Sequence, residues 1–127
     1  MKPSEATTEV KLPLSILWVE DDDSIRENAK MIVELLDHRC DAASSGKMAL
    51  EYLSKNKYDI VITDIGMPEM SGWELADVIK ETLDGKMKVA VVSGWSVGVE
   101  EKEAHGVLYD LPKPFTIDQL EKFLLTI

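Results

Sequence analysis

One cysteine, two histidines and no long apolar run set the first bounds on this chain. A lone Cys40 rules out an internal disulfide and fits a reducing compartment. Its expected place is that of a small buried hydrophobe. No stretch approaches the roughly 18 uninterrupted apolar residues of a membrane span. The first dozen residues, Met1–Leu12, are polar and lack the apolar segment of a secretory signal. They read as a flexible leader, residues 1–12, ahead of one domain at 13–127, and the expected location is the cytoplasm. Basic residues are also scarce, 14 against 24 acidic ones, for a net charge of −10. Such a surface repels DNA, RNA and anionic membranes, and the lysines and arginines form no stripe. Direct nucleic-acid or membrane binding is therefore excluded. His38 and His105 sit in polar helix-end or loop settings and are expected to be solvated.

What is present is a core-forming chain of 127 residues, 45% hydrophobic, in which strand and helix signals alternate. Leu14–Val19 is a nearly continuous apolar run, as expected of a strand buried on both faces. Cys40–Ala43, Tyr58–Thr63, Val89–Val92 and Val107–Leu111 supply four more strand candidates. Between them lie helical patterns. Three are opened by capping boxes, Ser24 with Glu27, Ser71 with Glu74 and Thr116 with Gln119. Another follows Ser45-Gly46, and Asp84-Gly85 is the expected stop of the helix after Ser71. Val97–Ala104 is short, acidic and weakly amphipathic, the poorest helix of the set. Five β–α units predict a parallel sheet with helices on both faces. Trp18 is expected in the core, Trp73 packed at a helix start, and Trp95 over the loop after Ser93-Gly94.

In such sheets ligands gather beyond the C-terminal strand ends. Glu20 and Asp21, Asp64, Ser93 and Lys113 all fall at such ends. Asp22, Asp23 and Ser24 are well placed simply to cap the first helix. Glu20, Asp21 and Asp64 are hard-oxygen donors of the kind Mg²⁺ takes together with phosphate oxygens. Three carboxylates this close repel one another unless a cation sits among them. No histidine or cysteine nucleophile lies at a neighbouring strand end, so Asp64 is itself the candidate nucleophile, forming an acyl phosphate. The Lys113 ammonium and the Ser93 hydroxyl can then neutralise or hydrogen-bond the charge on the transferring group.

Leu17-Trp-Val-Glu-Asp-Asp22, Thr63-Asp-Ile-Gly-Met-Pro-Glu-Met-Ser-Gly72, Val91-Val-Ser-Gly94 and Leu111-Pro-Lys-Pro-Phe115 resemble, in order, the receiver domains of two-component response regulators. The resemblance covers essentially all of 13–127 and is chemotaxis-regulator-like. It implies a flavodoxin-like, doubly wound, five-stranded parallel sheet of order 2-1-3-4-5 with five helices. It implies that Asp64 receives a phosphoryl group from a histidine kinase or phosphotransfer protein. Mg²⁺ would be held by Glu20, Asp21, Asp64 and the Gly66 carbonyl, Ser93 would be the switch hydroxyl, and Lys113 the phosphate-binding lysine beside a cis proline bond. A downstream effector domain or protein would read the signal, through the strand 4–helix 4–strand 5 face. The chain would be no enzyme beyond self-catalysed phosphotransfer and autodephosphorylation. The sequence departs from the pattern in three places: Glu20 for the commoner Asp, Ser93 for Thr, and Asp110 where an aromatic usually stands three residues before the lysine. Tyr109 is one residue out of place, and neighbouring strand residues point to opposite faces, so it cannot be expected to substitute. The expected reporters of activation are the Trp95 loop and the Val97–Ala104 helix.

Two other functions compete. An aspartate-nucleophile phosphohydrolase places a second carboxylate two residues after the nucleophile, where this chain has Gly66, and adds a cap domain for which there is no room. A degenerate receiver that only docks would not need the acids, hydroxyl and lysine together. Whether the chain stands alone or is part of a longer regulator or hybrid kinase is left open by the residues.

Overall fold

A computed structural model describes residues 13–83 and 86–127. The expected leader, 1–12, and the expected Asp84-Gly85 stop lie outside the described residues. Five strands and five helices alternate along the described chain: β1 (Ser15–Val19), α1 (Asp23–Leu35), β2 (Arg39–Ala43), α2 (Gly46–Lys55), β3 (Ile60–Asp64), α3 (Gly72–Thr82), β4 (Lys88–Ser93), α4 (Val99–His105), β5 (Tyr109–Pro112) and α5 (Ile117–Leu125). The strands form one parallel sheet of order β2-β1-β3-β4-β5, as the resemblance implied.

Alternation along each strand splits the core in two. Leu17, Val19, Val61, Val89 and Val91 face α2 and α3, where they meet Ala49, Leu75, Ala76 and Ile79. Ile16, Trp18, Ile60, Ile62, Ala90 and Val92 face the other way, onto Ala29, Ile32 and Val33 of α1 and Leu120 and Leu124 of α5. Burying each such large side chain contributes about 1.5–3 kcal/mol. Trp18 is in the core, as expected, at 2% exposure.

Several local readings need correction. The Ser24 capping box is not used: the N-cap of α1 is Asp22, whose side chain accepts from the Ile25 amide at 3.0 Å. An acid two residues earlier completes the turn better because α1 already begins at Asp23. Ile25, at helical spacing with the buried Ala29, Ile32 and Val33, is exposed. The boxes at Ser71 and Thr116 form as expected, and Ser45 caps α2. β3 starts at Ile60, leaving the buried Tyr58 to place its hydroxyl on the Asp41 carboxylate. β5 starts at Tyr109, with Val107 buried ahead of it.

α4 is the weakest helix here, as the sequence indicated. It has seven residues, no buried side chain and no side-chain N-cap, and it ends on the left-handed Gly106. Both histidines depart from the expectation that they are solvated. His38 Nδ1 accepts from the Leu14 amide at 2.9 Å. His105 Nδ1 lies 2.7 Å from the Asp77 carboxylate, and its ring stacks on Trp73 at 4.9 Å. Each histidine lies at or just past the end of a helix, where partners from earlier in the chain, Leu14 for His38 and Asp77 and Trp73 of α3 for His105, come within reach.

Candidate functional site

Strand register brings the polar residues together. Val19 pairs with Thr63, so Glu20 and Asp64 leave β1 and β3 side by side. Asp64 pairs with Val92, and Ser93 pairs with Pro112, which carries Lys113 to the same edge. The Lys113 amide donates to the Ser93 carbonyl at 2.7 Å, and the Lys113–Pro114 bond is cis.

Glu20, Asp21 and Asp64 each offer a carboxylate oxygen within 4.8 Å of the others, the one such acidic cluster among the described residues. Their settings differ. Glu20 is buried at 3% exposure, Asp64 is half-buried and Asp21 is exposed. Lys113 Nζ stands 3.0 Å from Asp64 Oδ1 and 3.8 Å from Glu20 Oε1. Burial pushes the Glu20 carboxyl above the usual carboxylate range, the Asp22 amide bonded to it opposes that, and the charge of Asp64 adds to it. Three acids against one ammonium leave an excess of negative charge, the environment that holds a hard divalent cation.

Gly66 is exposed in the loop after Asp64, with open space where a Cβ would lie. Ser93 is buried, and its hydroxyl donates to the Trp95 carbonyl at 2.6 Å. Trp95 meets the site through that carbonyl, while the residue itself is 59% exposed. Gly72 is required by close approach, since a Cβ there would collide with the Asp64 carbonyl and sit 3.0 Å from Ile65 Cα.

Sequence reading missed Arg26. Its guanidinium donates to the carbonyls of Glu20 at 3.1 Å and Asp21 at 3.5 Å, and to Asp23 Oδ1 at 2.6 Å. It grips the backbone from which two of the three acids project. The available signal was an arginine one turn into a helix that opens on four consecutive acids. Arg26→Ala is expected to weaken Mg²⁺ binding about tenfold, the effect typical of lost supporting contacts around metal ligands. Arg26→Lys is expected to recover only part, since one ammonium cannot hold the carbonyls and Asp23 at once as the two guanidinium nitrogens do. Calorimetric titration with MgCl₂ reads both.

With the geometry in view, comparison with known proteins decides the family. The model of the response regulator receiver domain matches residues 16–125. The chain belongs to that family. Among relatives of this receiver domain, the sensor kinase CckA of Brucella abortus is 32% identical over 126 residues, covering 94% of this chain and 13% of the kinase. Response regulator MprA of a Mycobacterium species is 30% identical, covering 86% of this chain and 48% of the regulator. The receiver domain thus spans about half, or far less, of the curated relatives it matches. Among solved structures, the chemotaxis protein CheY4 of Vibrio cholerae superposes with a TM-score of 0.85 at 25% identity, over 91% of this chain and 99% of that one. Response regulator TrrA of Thermotoga maritima, in complex with Mg²⁺–BeF, gives 0.79 at 28% identity, over 89% and 97%. This is a receiver domain of two-component signalling, with the flavodoxin-like topology of those neighbours and no helix among its described residues able to cross a membrane.

Proposed function

We propose that Asp64 is the phosphoacceptor of this receiver domain and that a histidine kinase or phosphotransfer protein is its donor. The observation that carries the reading is the convergence of Lys113 and two further carboxylates on Asp64. Asp64 Oδ attacks phosphorus, the P–N bond of the donor phosphohistidine breaks, and the imidazole leaves with the electron pair and takes up a proton. Mg²⁺ suits the donor set of Glu20, Asp21, Asp64 and the Gly66 carbonyl, and when bound it supplies charge neutralisation to phosphoryl oxygens. Lys113 orients the carboxylate beforehand and then shares a phosphoryl oxygen as a compact cation. Ser93 must give up the Trp95 carbonyl to hydrogen-bond the new group. Self-catalysed transfer from small donors and slow autodephosphorylation follow from the same groups. The domain works in the cytoplasm, and its output passes to an effector domain or protein.

Incubation with acetyl phosphate and Mg²⁺, followed by intact mass, tests the reading. One added phosphoryl group supports it. A protein that stays unmodified despite binding Mg²⁺ would be a docking module instead, and steady release of phosphate with no protein adduct would indicate a hydrolase.

Mg²⁺ itself is expected to stabilise the fold by mass action, about 2.7 kcal/mol at a hundredfold excess over Kd. Asp21→Ala is expected to lose most of that gain while the metal-free protein is no less stable, because one repelling carboxylate is gone. Thermal unfolding with and without MgCl₂ measures it, and equal shifts in the two proteins would remove Asp21 from the metal site.

A further inference from the structure

α4 is attached to the rest of the domain in an unusual way. It buries none of its own side chains. Val97 before it and Val107 after it are buried, so its ends are anchored while its body is not. What holds the body is polar. Lys102 Nζ reaches Asp110 Oδ1 on β5 at 2.7 Å, with both side chains mostly shielded at 20% and 30% exposure. His105 Nδ1 meets Asp77 Oδ1 of α3 at 2.7 Å, and the imidazole lies flat on Trp73. An ionised Asp77 can only accept, so Nδ1 carries the proton whatever the charge of the ring.

We propose that these two contacts form a polar clasp on α4, and that its Lys102–Asp110 arm biases the domain toward its unphosphorylated arrangement. The bias rests on the phosphoacceptor reading above; the clasp does not. Ser93 and Lys113 lie at the ends of β4 and β5, joined by the bond between the Lys113 amide and the Ser93 carbonyl. For the Ser93 hydroxyl to turn to a group on Asp64, its bond to the Trp95 carbonyl must break. The loop from Gly94 to Gly98 then moves, and it runs directly into α4. A clasp fastened across α4 to β5 resists that movement. Asp110 suits this role because it stands where the family resemblance calls for an aromatic, and a carboxylate there gains more from an ammonium than from burial. Tyr109 is not a substitute: it packs edge-on against Phe123 of α5 at 5.7 Å, in the opposite layer.

The test uses Asp110→Asn, Lys102→Gln and the swap Lys102→Glu with Asp110→Lys, in the full chain. Hydrogen exchange of the Val99–His105 amides reads the clasp. It is expected to quicken several-fold in each single variant and to return toward wild type in the swap. Unchanged exchange in both single variants would overturn the clasp. Binding of beryllofluoride with Mg²⁺ reads the bias, because a contact made only in the unphosphorylated state lowers affinity for a phosphoryl mimic by linkage. The single variants are expected to bind about three- to fivefold more tightly, the range of a partly shielded ion pair, with the swap near wild type. Equal affinity in all four proteins would overturn the bias. A wild type that takes up no beryllofluoride would overturn the phosphoacceptor reading and the bias together, and the exchange measurement would still decide the clasp.

Discussion

Asp64→Asn is expected to take up no phosphoryl group from acetyl phosphate and Mg²⁺, while remaining folded. The carboxamide keeps the shape of the side chain and removes its nucleophilic oxygen. It also removes one negative charge from a cluster in which burial already pushes Glu20 toward its neutral form and the charge of Asp64 adds to that. The loss of the 3.0 Å contact with Lys113 is therefore offset by relief of repulsion, and stability should move by less than about 1 kcal/mol. Intact mass reads the first effect and urea unfolding the second. Full labelling of the Asp64→Asn protein would move the acceptor elsewhere. Collapse of the fold would show that Asp64 is needed for structure first.

Gly72→Ala should produce the largest structural effect of a single methyl in this domain. Gly72 is the first residue of α3, and its amide donates to the Ile65 carbonyl at 2.8 Å, closing the loop that follows Asp64. An added Cβ meets backbone, at the Asp64 carbonyl and at Ile65 Cα, and backbone cannot rotate aside as a side chain can. The cost should be about 2–3 kcal/mol, as for overpacking in a closed core. Since the displaced carbonyl belongs to Asp64, the rate of phosphorylation by acetyl phosphate should fall as well. Gly66→Ala is the control within the same loop. Nothing lies within 4 Å of its Cβ position, and stability should change by no more than about 0.5 kcal/mol. Equal destabilisation by the two substitutions would show that the loop tightens around Gly66 also.

Strand and helix order were legible because hydrophobic period is a local property. Ile16 to Val19 are all buried, as a continuous apolar run in a two-sided sheet requires, and β1 has a partner on each edge. The acids at strand ends were legible for a similar reason: topology alone carries the end of every parallel strand to one edge. What escaped was set by contacts between distant segments. Nothing near Arg26 in the chain announces two carbonyls as its targets. His105 reads as a loop residue until α3 places Asp77 and Trp73 beside it. The Asp22 cap was among the candidates but could not be singled out, because Asp22, Asp23 and Ser24 all qualify on preference alone, and the path of the chain out of β1 selects among them. Asp110 was recognised as misplaced, yet its partner, eight residues earlier on α4, is a matter of helix orientation that periodicity does not fix.

The sheet divides the interior into two layers that share no side chain, and the edge carrying Glu20, Asp21, Asp64 and Lys113 belongs to neither. Mutational tolerance follows that partition. Substitutions in one layer are expected to act through its own helices, with the backbone of the sheet between it and the other. At the edge, exchanges of Asp21, Gly66 and Lys113 are expected to have little consequence for either layer, so changes to the site should be separable from changes to the fold. Gly72 is the exception that marks the border, because there one glycine is both the first residue of a core helix and the wall behind Asp64.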